Sequence, residues 1–242
     1  MQRRSWLVVA ALALALAVLG WLGAGRGASQ SEPIGLFTSL PILWADSAEL
    51  GSELLPDATP HWALKVFADR GTIEPLDVLT PSHLAGLRRL VMAQPRPLGP
   101  AENVALDDWV RGGGHLLLLA DPALTQDSAF AIGDPRRPQA VALLSPILGR
   151  WELDLLFDDS QVMGETSRDV LGLATPVNLP GRFAARGQAN CRLWADGLAV
   201  TCAIGKGRVV ALADAAVLER GDPSGTRPKA FAGLLDAAFA AR

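Results

Sequence analysis

The chain has 242 residues, 50% of them hydrophobic and 19% charged, enough for one or two domains with a substantial core and too apolar for a mostly disordered chain. A formal net charge of −3 argues against an electrostatic nucleic-acid binder. Two cysteines exclude a disulfide-dense scaffold and a zinc site built from four of them.

The basic flank 1–5, with Arg3 and Arg4, precedes the charge-free run Trp6 to Gly25. At about 1.5 Å per residue a helix of that length crosses a hydrocarbon core about 30 Å thick. Trp6 and Trp21 sit near its ends, where amphipathic rings suit the headgroup layer. The arginines favour a cytoplasmic amino end, so the rest is exported: a single-pass inner-membrane protein with its carboxyl-terminal domain in the periplasm. Gly23-Ala24-Gly25 also meets the small-residue rule for signal cleavage, so 6–25 is either an anchor or a cleaved signal. A buried hydrophobic helix is the bland alternative, and the basic flank argues against it. The arginine pair resembles a twin-arginine export signal only weakly. The exported portion loses three of the 22 basic residues and keeps the 25 acidic ones, leaving about −6, which disfavours attraction to anionic lipid.

Residues 26–33 read as a polar linker, and 34–242 as one exported α/β domain. Ile34 to Leu40 is a strand stopped by Pro41. Trp62 to Asp69 is a short helix. Ile73 to Leu79 contains Pro75 and is at best an edge strand. Thr80 or Ser82 caps a helical turn running to Leu87, and Arg89 to Ala93 is a buried strand. Pro100 and Glu102 suit the first turn of a helix whose stripe is Val104, Leu106, Trp109 and Val110, ended by Gly112-Gly113-Gly114. His115 to Ala120 is a continuous apolar strand covered on both faces. Strand, helix and strand in that order predict a parallel sheet.

Thr125 to Pro138 is a polar loop. Gln139 to Leu148 is a helix with Pro146 near its end, Trp151 to Phe157 is a strand, and Asp158 to Gly187 has no clear pattern. Asn190 to Trp194 and Ala199 to Ala203 then form a hairpin about the Asp196-Gly197 turn. That turn sets Ala195 opposite Leu198, Leu193 opposite Val200 and Cys191 opposite Cys202, close enough for a disulfide at about 4.5–5.5 Å. The same count makes Cys191–Cys202 a hydrogen-bonded pair. Two reduced cysteines on an apolar face remain the alternative, and a metal site on two cysteines is disfavoured. Gly205-Lys206-Gly207 turns into the strand Val209 to Asp214, and Pro228 to Ala241 is an amphipathic helix. The fold class expected is α/β, a three-layer sandwich with a mostly parallel sheet and an antiparallel hairpin on one side.

Leu90 to Leu98 and Leu106 to Pro122, with Gly205-Lys206-Gly207-Arg208-Val209-Val210 and Ala213-Asp214, resemble the extracytoplasmic domains of gliding-type auxiliary ABC transport proteins and related DUF4350 proteins. The resemblance covers about half of the exported chain. It implies a class I glutamine amidotransferase-like fold and a non-catalytic envelope domain serving an ABC-type transport or surface-assembly system. Partners implied are an ABC permease or ATPase chain, or another envelope protein. The catalytic branch of that fold needs a cysteine at a strand–helix elbow and a downstream histidine. Here the strands end in Gln94-Pro95, Asp121-Pro122 and Asp214, and no histidine follows His115, which argues against a glutaminase.

Ligands of open parallel sheets lie beyond the carboxyl ends of the strands, where Ser39, Gln94, Asp121 and Asp214 are expected. Two converging carboxylates suit a cation, a sugar hydroxyl or a basic peptide, and can act as general acid and base. The structural alternative is that they cap turns by accepting backbone N–H bonds. Gly205-Lys206-Gly207 lacks the Walker spacing, and Gly112-Gly113-Gly114 precedes a strand, so neither is a nucleotide motif. His61, His83 and His115 lack zinc spacing. Ser39 and Ser167 lack the hydrolase elbow frame. Trp44, Trp62, Trp109, Trp151 and Trp194 are core anchors rather than a sugar platform. No cofactor or metal is implied. Two further readings stay open: an envelope hydrolase using Asp121 and Asp214, and a periplasmic binding protein released by cleavage.

Overall fold

The computed structural model describes residues 32–44, 46, 60–187, 189–221 and 225–240. The run 6–25 lies outside the described residues, and among those described no helix is long and apolar enough to cross a membrane. The elements follow one another as β1 (Ile34–Thr38), α1 (Ala63–Ala68), β2 (Ile73–Pro75), α2 (Pro81–Leu84), β3 (Arg89–Ala93), α3 (Pro100–Arg111) and β4 (His115–Leu119). Then come α4 (Ser145–Arg150), β5 (Leu153–Leu156), β6 (Thr166–Val170), β7 (Leu173–Val177), β8 (Arg182–Ala185), β9 (Cys191–Trp194), β10 (Ala199–Ile204), β11 (Gly207–Leu212) and α5 (Arg227–Phe239).

Seven strands form one sheet in the order β2-β1-β3-β4-β11-β10-β9. Every pairing from β2 to β11 is parallel, and β10 runs antiparallel to both its neighbours. The mostly parallel α/β sheet with an antiparallel hairpin at one edge is therefore present. Period-two alternation builds its two faces. Leu90, Met92, Leu116, Leu118, Val209 and Ala211 point into one core with α3 and α4. Val91, Leu117, Leu119, Val210 and Leu212 point into the other with α1 and α5. Every core-facing position of β4 is apolar because helices cover both sides.

The local grammar explains α3. Glu102 accepts from Gly99 N–H at 2.8 Å and Leu79 N–H at 3.1 Å, and takes a bidentate Arg96 at 2.8 and 2.9 Å. The Arg96 contact leads in holding the Glu102 carboxyl down at about 2, with the two N–H donors assisting. At the other end Gly207 permits a close crossing. A Cβ there would lie 2.0 Å from the carbonyl oxygen of Val110 and 2.4 Å from that of Gly114.

Three expectations are corrected. The helix placed at Gln139 to Leu148 is Ser145–Arg150, with Pro146 at its start, because proline lacks the N–H that only the first turn can spare. The unpatterned stretch 158–187 carries β6, β7 and β8, and β5 pairs antiparallel with β8 outside the main sheet. Cys191 is opposite Cys202 as the turn predicts, and the two form a disulfide with Cα atoms 4.0 Å apart. Their pair is not hydrogen-bonded, however: Ala203 N–H donates to Asn190 O, which puts the bonds one pair further out. The cause is Ala195. Its φ of 48°, followed by Asp196 at 56° and Gly197 at 88°, ends the ladder at Trp194–Ala199 and shifts the bonding phase without changing the register.

The bridge closes a loop of sequence separation 11. Replacing both cysteines by serine is expected to cost about 2–3 kcal/mol in a denaturant titration. Free thiols in protein purified without reductant would contradict the bridge.

Candidate functional site

The carboxyl ends of β1, β3, β4 and β11 bring Ser39, Gln94, Asp121 and Asp214 together as one polar network. The Ser39 hydroxyl donates to Gln94 O at 2.5 Å and accepts from Gln139 N–H at 2.9 Å. Gln94 Nε2 donates to Asp121 O at 3.0 Å and Gln139 O at 2.7 Å, and its Oε1 accepts from Asp121 N–H at 2.9 Å. Gln94 holds φ at 44°, in the left-handed region, which turns its side chain across the strand ends.

The two carboxylates are equally committed. Asp121 accepts from Ala123 N–H at 2.7 Å and from Ala215 N–H at 3.2 Å. Asp214 accepts from Ala216 N–H at 2.6 Å and from Asn178 N–H at 2.8 Å. Gln94, Asp121 and Asp214 are 0%, 1% and 0% exposed. The residues read as a ligand crevice therefore converge, but they lie under two loops whose backbone they hold. The loop after β4 covers them through Gln139, and the segment before β8 covers them through Asn178 and Gly181, whose N–H donates to Ala213 O at 2.7 Å.

Burial pushes the Asp121 carboxyl up to about 6 against the two N–H bonds that stabilise its charge. Asp214 is driven well above the usual carboxylate range, first by burial and then by the neighbouring Asp121 charge. His61, buried with Nε2 on Leu218 O at 2.9 Å, is held down at about 4, mainly by burial and then by Arg220.

An open cavity of about 410 Å³ lies on the outer side of this cover. Arg168 and Asp169 of β6, Arg182 of β8, Asp158 and Asp196 supply its charged lining, and Leu198 part of its apolar wall. Sequence reasoning missed Arg168, Arg182 and Asp158 because they stand in the stretch it left without pattern. The sequence signal of Asp196 is that of a turn residue alone. What the arrangement offers is a polar, solvent-reached groove over a sealed carboxylate pair. Among the described residues no cluster of three or more His, Cys, Asp or Glu side chains could hold a metal ion.

No protein-family model matches the chain, and no curated protein matches it. Several solved structures align with it at low identity. The mmIFT52 N-terminal domain is 13% identical over 84% of this chain and 96% of its own, with a TM-score of 0.49. The cytoplasmic protein STM1381 from Salmonella typhimurium LT2 is 14% identical over 72% of this chain and 85% of its own, with a TM-score of 0.48. The exo-beta-1,4-mannosidase Op5Man5 from Opitutaceae bacterium strain TAV5 is 12% identical over 85% of this chain, with a TM-score of 0.43, and the chain spans 33% of its length. These likenesses assign no activity.

Replacing Gln94 by Ala removes three buried hydrogen bonds and is expected to cost about 2–4 kcal/mol in denaturant unfolding. A residue serving only a ligand would leave stability unchanged. A second expectation concerns pH. Because the folded pKa of Asp121 exceeds its usual 3.8, its contribution to stability is complete below about pH 4 and lost as pH rises through 6. His61 acts in the opposite sense over the same window: its folded pKa lies below 6.5, so stability is lost as pH falls from there towards 4. Thermal melts between pH 4 and 7 should therefore separate two variants. His61→Gln should lose stability more steeply than wild type as pH rises, and Asp121→Asn should lose less than wild type, because the group that deprotonates near 6 is gone. Parallel slopes in the two would refute this assignment.

Proposed function

We propose that the chain is a membrane-anchored, non-catalytic envelope domain, an auxiliary component of an ABC-type transport or surface-assembly system. On this reading 6–25 is the single inner-membrane span, 34–242 faces the periplasm, and the carboxyl-end face binds a partner protein or a glycan. The family resemblance to gliding-type auxiliary and DUF4350 proteins, with its amidotransferase-like fold, belongs to the same proposal.

The observation that carries the non-catalytic part is the fate of Gln94. It stands at the end of β3, which lacks the cysteine that the catalytic branch of the resembled fold needs at a strand–helix elbow, and its amide is consumed by three hydrogen bonds. Sealing of Asp121 and Asp214 speaks against the hydrolase alternative, since an acid–base pair must come within hydrogen-bond reach of its substrate. The Cys191–Cys202 bridge supports an oxidising compartment.

The test is purification of the full-length protein from gently solubilised membranes, with co-purifying chains identified by mass spectrometry. Recovery of ABC permease or ATPase chains together with an intact amino terminus is the expected result. A cleaved, soluble protein recovered alone would overturn the reading and favour a released binding protein.

A further inference from the structure

Strand β6 has a free edge. The turn Leu171-Gly172, with φ of 57° and 79°, makes Val170–Leu173 the hydrogen-bonded pair that closes the β6–β7 hairpin. Alternation then leaves Ser167 opposite Pro176 and Asp169 opposite Ala174 as non-bonded pairs. Pro176 has no N–H, so the ladder loses nothing in this phase. The backbone N–H and C=O of Ser167 and Asp169 consequently point away from β7. Among the described residues they have no backbone partner.

That edge borders the 410 Å³ cavity, which Arg168 and Asp169 line. The cavity's charges are unequally engaged. Asp158 accepts from Ser160 N–H at 3.0 Å and from its hydroxyl at 2.7 Å, and Asp169 accepts from Gly172 N–H at 2.9 Å. Among the described residues neither Arg168 nor Arg182 makes a guanidinium hydrogen bond or a close ion pair, and Arg182 acts on Asp158 through its charge alone. A groove with an unpaired strand edge on one side and two guanidinium groups whose hydrogen-bond donors are unspent matches an extended chain carrying a carboxylate. Asp196, at the turn on the far wall, disfavours a uniformly acidic one.

We propose that the β6 edge and its cavity receive an extended segment of a partner protein, paired backbone to backbone with Ser167 and Asp169, one acidic side chain of the segment lying between Arg168 and Arg182. This rests on the reading of the chain as a binding component and names the surface and the kind of partner. Ladder bonds supply affinity without regard to sequence, and the two arginines select the carboxylate.

Fluorescence anisotropy of the full-length protein in detergent micelles tests it. The probe is a labelled octapeptide of alternating Thr and Val with one central Glu. Binding is expected to weaken about tenfold when Lys replaces the Glu, and by a similar factor in Arg168→Ala and in Arg182→Ala. N-methylation of the peptide at the amides that face β6 should abolish it. Both arginines are exposed, so these variants should keep the wild-type circular dichroism. No binding, or equal binding of the Glu and Lys peptides, would overturn the proposal. So would dimerisation of the chain that Ser167→Pro removes, because a second copy would then own the edge. If transport chains co-purify equally with wild type and the double arginine variant, this surface is wrong while the auxiliary-component reading survives.

Discussion

Backbone donors stranded at the carboxyl ends of a parallel sheet constrain the rest of this fold. Each loop leaving β3, β4 or β11 turns over the strand ends, and its first N–H groups are cut off from water. A buried N–H without an acceptor costs about as much as a lost hydrogen bond, so each needs a partner. Asp121 serves its own loop through Ala123 and the next loop through Ala215. Asp214 serves Ala216 locally and Asn178 from the β7–β8 segment. Gln94 joins β3 to both Asp121 and Gln139. A carboxyl group suits this because it offers two oxygens, one to each loop.

The cost is electrostatic. Two acids share a dry site, and the buried guanidinium of the region, Arg227, is spent on Glu165 and on Glu219 at 3.2 Å, outside the pair. Desolvation without an ion-pair partner raises both pKa values, whereas at Glu102 an adjacent Arg96 drives a carboxyl the other way. A carboxyl group thus plays opposite electrostatic parts at two loop anchors. With Gln94, Asp121 and Asp214 sealed beneath these loops, the charges left exposed beside the cover include those of β6 and β8.

The centre of the sheet was legible because its signals are strong and local. His115 to Ala120 admits no reading but a doubly covered strand, and the Asp196-Gly197 turn placed Cys191 against Cys202 from sequence spacing alone. The four residues that converge were also legible, since strand ends in a parallel sheet share one edge. Their burial was not. What covers them is the irregular chain around Gln139 and Asn178, whose path depends on tertiary hydrogen bonds that leave no periodic trace. Strands β6 and β8 escaped for a related reason. They are four or five residues long, largely exposed, and belong to two-stranded sheets, so apolar alternation is weak where one face is wet. Pro146 misled because a proline near a helix boundary is equally compatible with either end until the N–H bonds are counted.

Exposed strand edges invite pairing with other chains, and this fold treats its edges unequally. Strand β2 ends the main sheet on one side with three residues, the last of them Pro75, which removes a donor. Strand β9 ends it on the other, stapled to β10 by the disulfide and carrying Arg192 over the Trp194 ring at 3.8 Å. Strand β6 has neither proline nor bridge along its five residues, and its protection is charge alone. Charge is the one form of edge protection that a complementary partner can convert into attraction, because a guanidinium that repels one chain binds the carboxylate of another. The edge guarded in this way also borders the open cavity above the sealed strand ends, and that coincidence makes it a recognition surface and not only a blunted one.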